Sequence, residues 1–150
     1  MTIAHQVLGQ GKPLIVIHGL FGTSDNLKQI AKSLSDQYKI YLIDAPAHGD
    51  SSTPDPLTLN NMAKAVLEFA DQQGLTQFSL LGHSLGGKIA MEIALLENAR
   101  VDKLIVADIA PVQYESRHNH ILEGLNSINL ETLESRQQAN ETLSQFIDDV

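Results

Sequence analysis

The segment Leu80-Leu81-Gly82-His83-Ser84-Leu85-Gly86-Gly87 constrains this chain more than any other. An apolar run enters Gly-x-Ser-x-Gly, and a helical pattern begins at once after it. That order describes a nucleophile elbow, a strained strand-to-helix turn that lifts one serine hydroxyl clear of a sheet. Gly82 and Gly86 let strand and helix backbones pass close together, because neither carries a side chain. The serine is pushed toward unfavourable dihedrals, and such strain persists mainly where function requires it. Ser84 is therefore the candidate nucleophile.

The same residues admit a rival reading. Gly82-His-Ser-Leu-Gly-Gly87-Lys88 also fits Gly-x-x-x-x-Gly-Lys, the opening of a phosphate-cradling loop between a strand and a helix. That loop needs Ser or Thr after the lysine to ligate magnesium. Ile89 stands there and cannot coordinate a cation. A structural serine in a glycine-rich turn is the remaining alternative, and the flanking pattern argues against it.

Four apolar runs, Leu14 to Ile17, Ile40 to Ile43, Phe78 to Leu81 and Leu104 to Ala107, are short and bounded by turn residues. Near-continuous apolar runs suggest strands covered on both faces, the habit of parallel sheets. Ile3 to Leu8 is expected to add an N-terminal strand. Helical spacing marks residues 24 to 36 with Ser24 as N-cap, 58 to 73 with Gly74 as a stop, and 85 to 97. Strand alternating with helix implies an α/β fold with an open, mostly parallel sheet flanked by helices. From Val112 onward no strand is readable. Ile121, Leu122, Leu125 and Ile128 form one apolar stripe, in a helix expected over 115–127. Leu143, Phe146, Ile147 and Val150 form another, with Asn129 as the expected cap of the second helix. Such stripes need something to cover. The expected division is a core over 1–111 and the first helices of a cap over 112–150.

The chain has 150 residues, the length of one ordinary domain, with 43% hydrophobic and 19% charged residues. No apolar run approaches the roughly 18 residues that span a bilayer, and the first residues lack a signal-peptide pattern. A cytoplasmic location is the resulting expectation. The absence of Cys removes disulfides, thiolate metal sites and cysteine nucleophiles. A net charge of −8 argues against nucleic acid or an anionic membrane as partner.

In an open α/β sheet, ligands bind beyond the carboxyl ends of the strands. The first run ends in His18-Gly19-Leu20-Phe21-Gly22, where the backbone can curl to aim amides at a developing oxyanion. That hole would combine the N–H of Leu20 or Phe21 with the N–H of Leu85. The second run ends in Asp44-Ala45-Pro46-Ala47-His48, and Asp44 and His48 are expected to fix a loop. The fourth ends in Asp108. If its strand pairs with that of Ser84, the two backbones lie about 4.8 Å apart, against about 9.6 Å for Asp44. Asp108 is thus the better orienting acid. A serine nucleophile also needs a base. Only His118 and His120 follow Asp108, two apart on one helix, and they read as exposed helix residues. His83 is expected to point away from the site, and His5 is remote.

With these motifs in place, the chain resembles the α/β-hydrolase superfamily, and most of all its YbfF-like and abhydrolase-domain-11-like carboxylesterases. The matching residues are His18-Gly-Leu-Phe-Gly-Thr-Ser-Asp-Asn26, Asp44-x-Pro-x-His-Gly-Asp-Ser51, Gly82-His-Ser-Leu-Gly-Gly-Lys88 and Asp108-Ile-Ala-Pro-Val-x-Tyr114. The resemblance implies Ser84 as nucleophile, Asp108 as acid, and oxyanion amides at Leu20 and Leu85. It implies a small-molecule ester or thioester substrate, acyl-CoA among them, and neither cofactor nor metal. Members of the family are longer, and their catalytic His matches nothing here. The expectation is a fragment, or a chain whose missing part a partner supplies, with self-association through the edge at Leu104 to Ala107. A non-catalytic module of the same fold, and relatives that cleave C–C bonds, stay open alternatives.

Overall fold

Strands form where the apolar runs stand, and each extends past its run into flanking polar residues. The computed structural model describes residues 1–112, 114 and 119–147, with 119 and 120 as backbone alone. Residues 1–111 and 112–150 form separate compact units. The first holds strands β1 (His5–Leu8), β2 (Lys12–Ile17), β3 (Tyr38–Ile43), β4 (Phe78–His83) and β5 (Val101–Ala107). Helices α1 (Lys28–Leu34), α2 (Leu59–Gln72) and α3 (Leu85–Leu96) connect them.

The sheet order is β1-β3-β2-β4-β5. β2 runs parallel to both β3 and β4, and β4 runs parallel to β5. Only β1 is antiparallel, pairing His5 to Leu8 with Ile43 to Ile40. This is the mostly parallel α/β sheet expected from the alternation of elements. It puts β5 beside β4 and leaves β2 between β3 and β4, as the comparison of Asp108 with Asp44 required.

Alternation along the strands divides the core into two layers. Ile15, Ile17, Tyr41, Ile43 and Leu80 pack with Val66 and Phe69 of α2 and Ile89 and Ile93 of α3. Leu14, Val16, Ile40, Leu42 and Leu81 face the other way, toward Leu27 and Ala31. Both faces of the three inner strands are therefore covered, which is why their sequences read as nearly unbroken apolar runs. β5 differs, with Leu104 40% and Ile105 47% exposed. These neighbours point to opposite faces, so both faces are partly exposed at these positions, while Val106 packs near Gly87 of α3 and the outer edge is unpaired among the described residues.

Helix ends follow local side-chain chemistry. Thr58 caps α2, its Oγ1 accepting from the Asn61 N–H at 3.2 Å. Gly74 closes that helix at φ +69°, a left-handed position where glycine avoids the Cβ clash. The helix expected over 24–36 begins instead with a 3-10 turn, Ser24–Leu27. Its cap is Thr23, not Ser24, and the Thr23 N–H donates to Asn26 Oδ1 at 2.7 Å. Ser24, one residue further on, instead donates its N–H to Asp44 Oδ1 at 2.7 Å.

The chain start is stitched to the loop after β3. Asp44 N–H donates to Ala4 O and Ser52 N–H to Thr2 O, both at 2.9 Å, and Ala4 N–H donates to Ser51 Oγ at 3.0 Å.

The second unit holds α4 (Asn119–Ser127) and α5 (Arg136–Leu143). Residues 115–118 of the expected helix, His118 included, lie outside the described residues, as does Val150 of the second stripe. Gly124 in α4 sits against Leu143 and Phe146, so closely that a Cβ there would meet them at 3.1–3.2 Å. Asn129 does not cap α5. Ser135 does, with Oγ accepting from Gln138 N–H at 3.2 Å, while Asn129 Oδ1 accepts from Glu131 N–H in a separate turn. A short polar side chain can order a turn as readily as a helix start. None of the helices among the described residues is long and apolar enough to cross a membrane.

Phe69 is only 1% exposed and meets the His5 ring edge-on at 4.8 Å and the Tyr41 ring at 6.0 Å. Phe69→Ala should cost about 3–5 kcal/mol in urea unfolding. Leu95→Ala, at a residue 81% exposed, should stay within about 0.5 kcal/mol of the parent.

Candidate active site

The β4–α3 junction is tight because two glycines make it so. A Cβ on Gly82 would strike the Gly86 carbonyl, and one on Gly86 would strike the carbonyls of Ile17 and His18. The first turn of α3 thus rests directly on the ends of β4 and β2. Ser84, between them, adopts φ +51° and ψ −114°. A non-glycine residue rarely takes such angles unless its surroundings hold it there. Two backbone bonds do so: Ser84 N–H donates to Ala107 O at 2.9 Å, and Ser84 O accepts from Lys88 N–H at 3.1 Å. Leu85 follows as the first helical residue, where an N–H has no partner within the helix. The phosphate-loop reading still lacks its metal ligand, since Ile89 follows Lys88.

The turn after β2 lies alongside. Gly22 N–H donates to Gly19 O at 3.1 Å, closing a turn in which Phe21 has φ +59°. A Cβ on Gly19 would come within 3.2 Å of Ser84 Cβ and 3.0 Å of His83 Nδ1. Leu20, Phe21, Leu27, Ile30 and His83 line an open depression of about 460 Å³ here. Leu20 and Phe21 are both exposed.

The loop after β3 is held by buried polar groups. Asp44 Oδ1 accepts from Ser24 N–H, and Oδ2 accepts from Asp50 N–H at 3.2 Å. Burial pushes its carboxyl up, but the Ser24 and Asp50 amides, the Ser24 hydroxyl and His18 outweigh it and leave Asp44 below the usual carboxylate range. His18 is 1% exposed. Its Nδ1 lies 2.8 Å from Gly19 O, and Nε2 accepts from Ala45 N–H at 2.9 Å. A carbonyl at one nitrogen and a donor at the other define a single neutral tautomer. Burial lowers its pKa most, with His48 adding to the effect, while Gly19 O and Asp44 oppose it. Both nitrogens are occupied, so His18 joins the Gly19 turn to the Ala45 loop and cannot serve as a base. The sequence signalled the turn at His18-Gly19 but not this bridging role of the ring.

Asp108 follows the last residue of β5, one position beyond the His83–Ala107 pair of the β4–β5 register. It has φ +58°. His83, expected to point away, turns toward it, with Nε2 at 3.5 Å from Asp108 Oδ2. The reason is register: the two residues close neighbouring parallel strands at the same level. Ser84, Leu85, Leu20, Phe21 and Asp108 are thus brought to one end of the sheet. His118 and the side chain of His120 lie outside the described residues, and His5 Nδ1 is engaged with Ile3 O at 3.0 Å. Among the described residues no three His, Asp or Glu side chains gather as a metal site.

These shifts set a pH dependence of stability. A histidine kept neutral in the fold binds its proton more readily when unfolded, so stability is lost as pH falls below about 6.5. A carboxylate lowered in the fold gives stability above about 3.9, lost as pH falls through its folded value. Urea midpoints should therefore decline from pH 7 to 5 and again below pH 4. His18→Gln should flatten the first decline and Asp44→Asn the second, and unchanged slopes would contradict both assignments.

Comparison with known proteins places this arrangement. The chain is 34% identical over 138 residues to esterase YbfF of Escherichia coli strain K12, matching 91% of this chain and 54% of that protein. It is 34% identical over 145 residues to the sn-1-specific diacylglycerol lipase ABHD11 of Xenopus laevis, matching 91% of this chain and 46% of that protein. A solved structure described as a marine microorganism esterase superposes with a TM-score of 0.90 at 38% identity, covering 98% of this chain and 59% of that one. The chain thus spans about half the length of the curated relatives it matches. Residues 12–141 match the family described as the alpha/beta hydrolase fold. With the sheet order, the strained serine and this match all in agreement, the chain belongs to the alpha/beta hydrolase fold family.

Proposed function

We propose that this chain carries the nucleophile half of a serine hydrolase that cleaves carboxylic esters or thioesters through an acyl-enzyme on Ser84. The observation that carries the reading is the conformation of Ser84. Its φ of +51° comes at the start of α3, with its N–H bonded to Ala107, the last residue of β5 and the one before Asp108. Similarity to proteins named esterases and a lipase supports ester bonds as the substrate class.

In this reading the Ser84 hydroxyl attacks the carbonyl carbon. The oxyanion is received by the N–H of Leu85 and by an N–H of the 19–22 turn, at Leu20 or Phe21. Such backbone donors are typically worth about 10²–10³ in rate each. Asp108 orients the imidazole that takes the serine proton. The open depression beside Phe21, lined by Leu20, Leu27 and Ile30, suits an acyl chain. Residues 112–150 are read as the first helices of a cap.

A fluorophosphonate probe tests the nucleophile. Labelling should map to Ser84 by peptide mass spectrometry and vanish in Ser84→Ala, and a label elsewhere would defeat the assignment. The open face and edge of β5 support self-association. Light scattering should show a species larger than the monomer, shifted toward monomer in Ile105→Lys, and a monomeric parent would count against it.

A further inference from the structure

We propose that a cleft at the amino end of the sheet, the far end of β4 from Ser84, binds a small zwitterionic solute of the α-amino acid type. Lys12 and the Ser79 hydroxyl take its carboxylate, and Asp102 takes its ammonium. Three strand starts make the cleft. β2 pairs with β3 from Lys12 onward but with β4 only from Leu14, so Lys12 and Pro13 stand clear of β4. The β4–β5 register slips between Phe78 and Leu80. Phe78 faces Val101 and Leu80 faces Leu104, so Asp102 and Lys103 together oppose Ser79 alone. An extra residue of this kind is a bulge, which interrupts the ladder and re-aims side chains. The resulting cleft is open, holds about 170 Å³, and is lined by Lys12, Pro13, Gln77, Phe78, Ser79 and Asp102.

The observation that points to a ligand is Ser79. It is 2% exposed, and its Oγ has no hydrogen-bond partner among the described residues. Buried hydroxyls are nearly always paired, because an unmet one costs more than a single bond returns. Asp44 and His18, also buried, are both met by backbone groups. Ser79 stands opposite Leu14 in the β2–β4 ladder, and side chains of paired residues share a face. Lys12 lies two residues before Leu14 and so falls on that same face. The hydroxyl and the lysine leave the sheet on one side.

The charges around the cleft select the solute. Lys12 and Asp102 are exposed, and neither enters an ion pair among the described residues. A simple anion would be drawn by Lys12 and repelled by Asp102, and a simple cation the reverse. A solute carrying both charges satisfies both, and the buried hydroxyl adds a third contact in a fixed place. At about 30 Å³ per water the cleft has room for about five or six waters. That suits an amino acid with little side chain and excludes a nucleotide or a folded peptide. An open site for so small a solute binds weakly, with Kd on the order of 1 mM. The proposal is independent of the role assigned to Ser84.

The test titrates the chain with L-alanine, and separately with acetate and with ethylammonium, following backbone amides by NMR. L-alanine should give saturable shifts at Lys12, Gln77, Ser79 and Asp102. Acetate and ethylammonium should each bind at least about 10-fold more weakly, since each forfeits one charge-assisted contact. Lys12→Gln and Asp102→Asn, both at exposed positions, should weaken L-alanine by about the same factor. Ser79→Ala should also weaken it, while its ligand-free urea midpoint stays level with the parent or rises, because an unmet hydroxyl has gone. Saturable shifts that are absent, or that centre on Leu20 and Leu85 instead, overturn the site. Acetate or ethylammonium binding as tightly as L-alanine overturns the zwitterion. Parent-like affinity in Ser79→Ala overturns the role of the hydroxyl and with it the proposal. Should self-association broaden the spectra, saturation transfer observed on L-alanine decides on the same comparisons.

Discussion

The seating of the first turn of α3 on the carbonyl ends of β2 and β4 is the contact from which the rest of this molecule is built. Gly86 against Ile17 and His18, and Gly82 against Gly86, bring a helix and two strands to a separation no side chain would permit. That closeness leaves Ser84 no ordinary conformation, and the ladder bond to Ala107 holds it in the one it takes. It also sets the positive end of the helix dipole beneath the serine. The Gly19 turn emerges from the same strand end that Gly86 touches, so its position relative to Ser84 is fixed by backbone packing rather than by mobile side chains.

A second constraint acts through buried polar groups. Between them, Asp44 and His18 tie the start of the α1 segment, the turn after β2 and the loop after β3 into one frame. Each is desolvated, and each has its hydrogen-bonding capacity met by backbone, which is the condition under which buried polar groups are tolerable. The apolar layers secure the sheet. These two side chains secure the loops that crown it.

The sheet was legible because β2, β3 and β4 are covered on both faces and so spell out apolar runs. The tight β4–α3 turn was legible because close backbone approach demands glycine. The placing of β5 beside β4, with β2 between β3 and β4, agrees with the strand spacing assumed from the sequence. What stayed hidden depends on contacts distant in sequence. Thr23 rather than Ser24 stands as the cap, and the Ser24 amide goes to Asp44, a bond nothing near residue 24 announces. Asn129 and Ser135 are both sound caps by type, and the choice between them falls to how the segment packs. The turning of His83 toward Asp108 follows from the β4–β5 register, and a one-residue change in that pairing would have sent it elsewhere. The dual engagement of the His18 ring is likewise visible only once Ala45 is brought beneath it.

The backbone bonds joining Thr2 and Ala4 to Asp44 and Ser52 give the leading residues a role beyond their place in the sequence. They act as a splint laid along the loop that carries Asp44 and Asp50. Trimming those residues, or burying them under a fused tag, would free the loop on one side while leaving every residue at the sheet's far end untouched. The disturbance would then reach the Gly19 turn by way of His18, so the handling of the amino terminus bears on a site some eighty residues away along the chain.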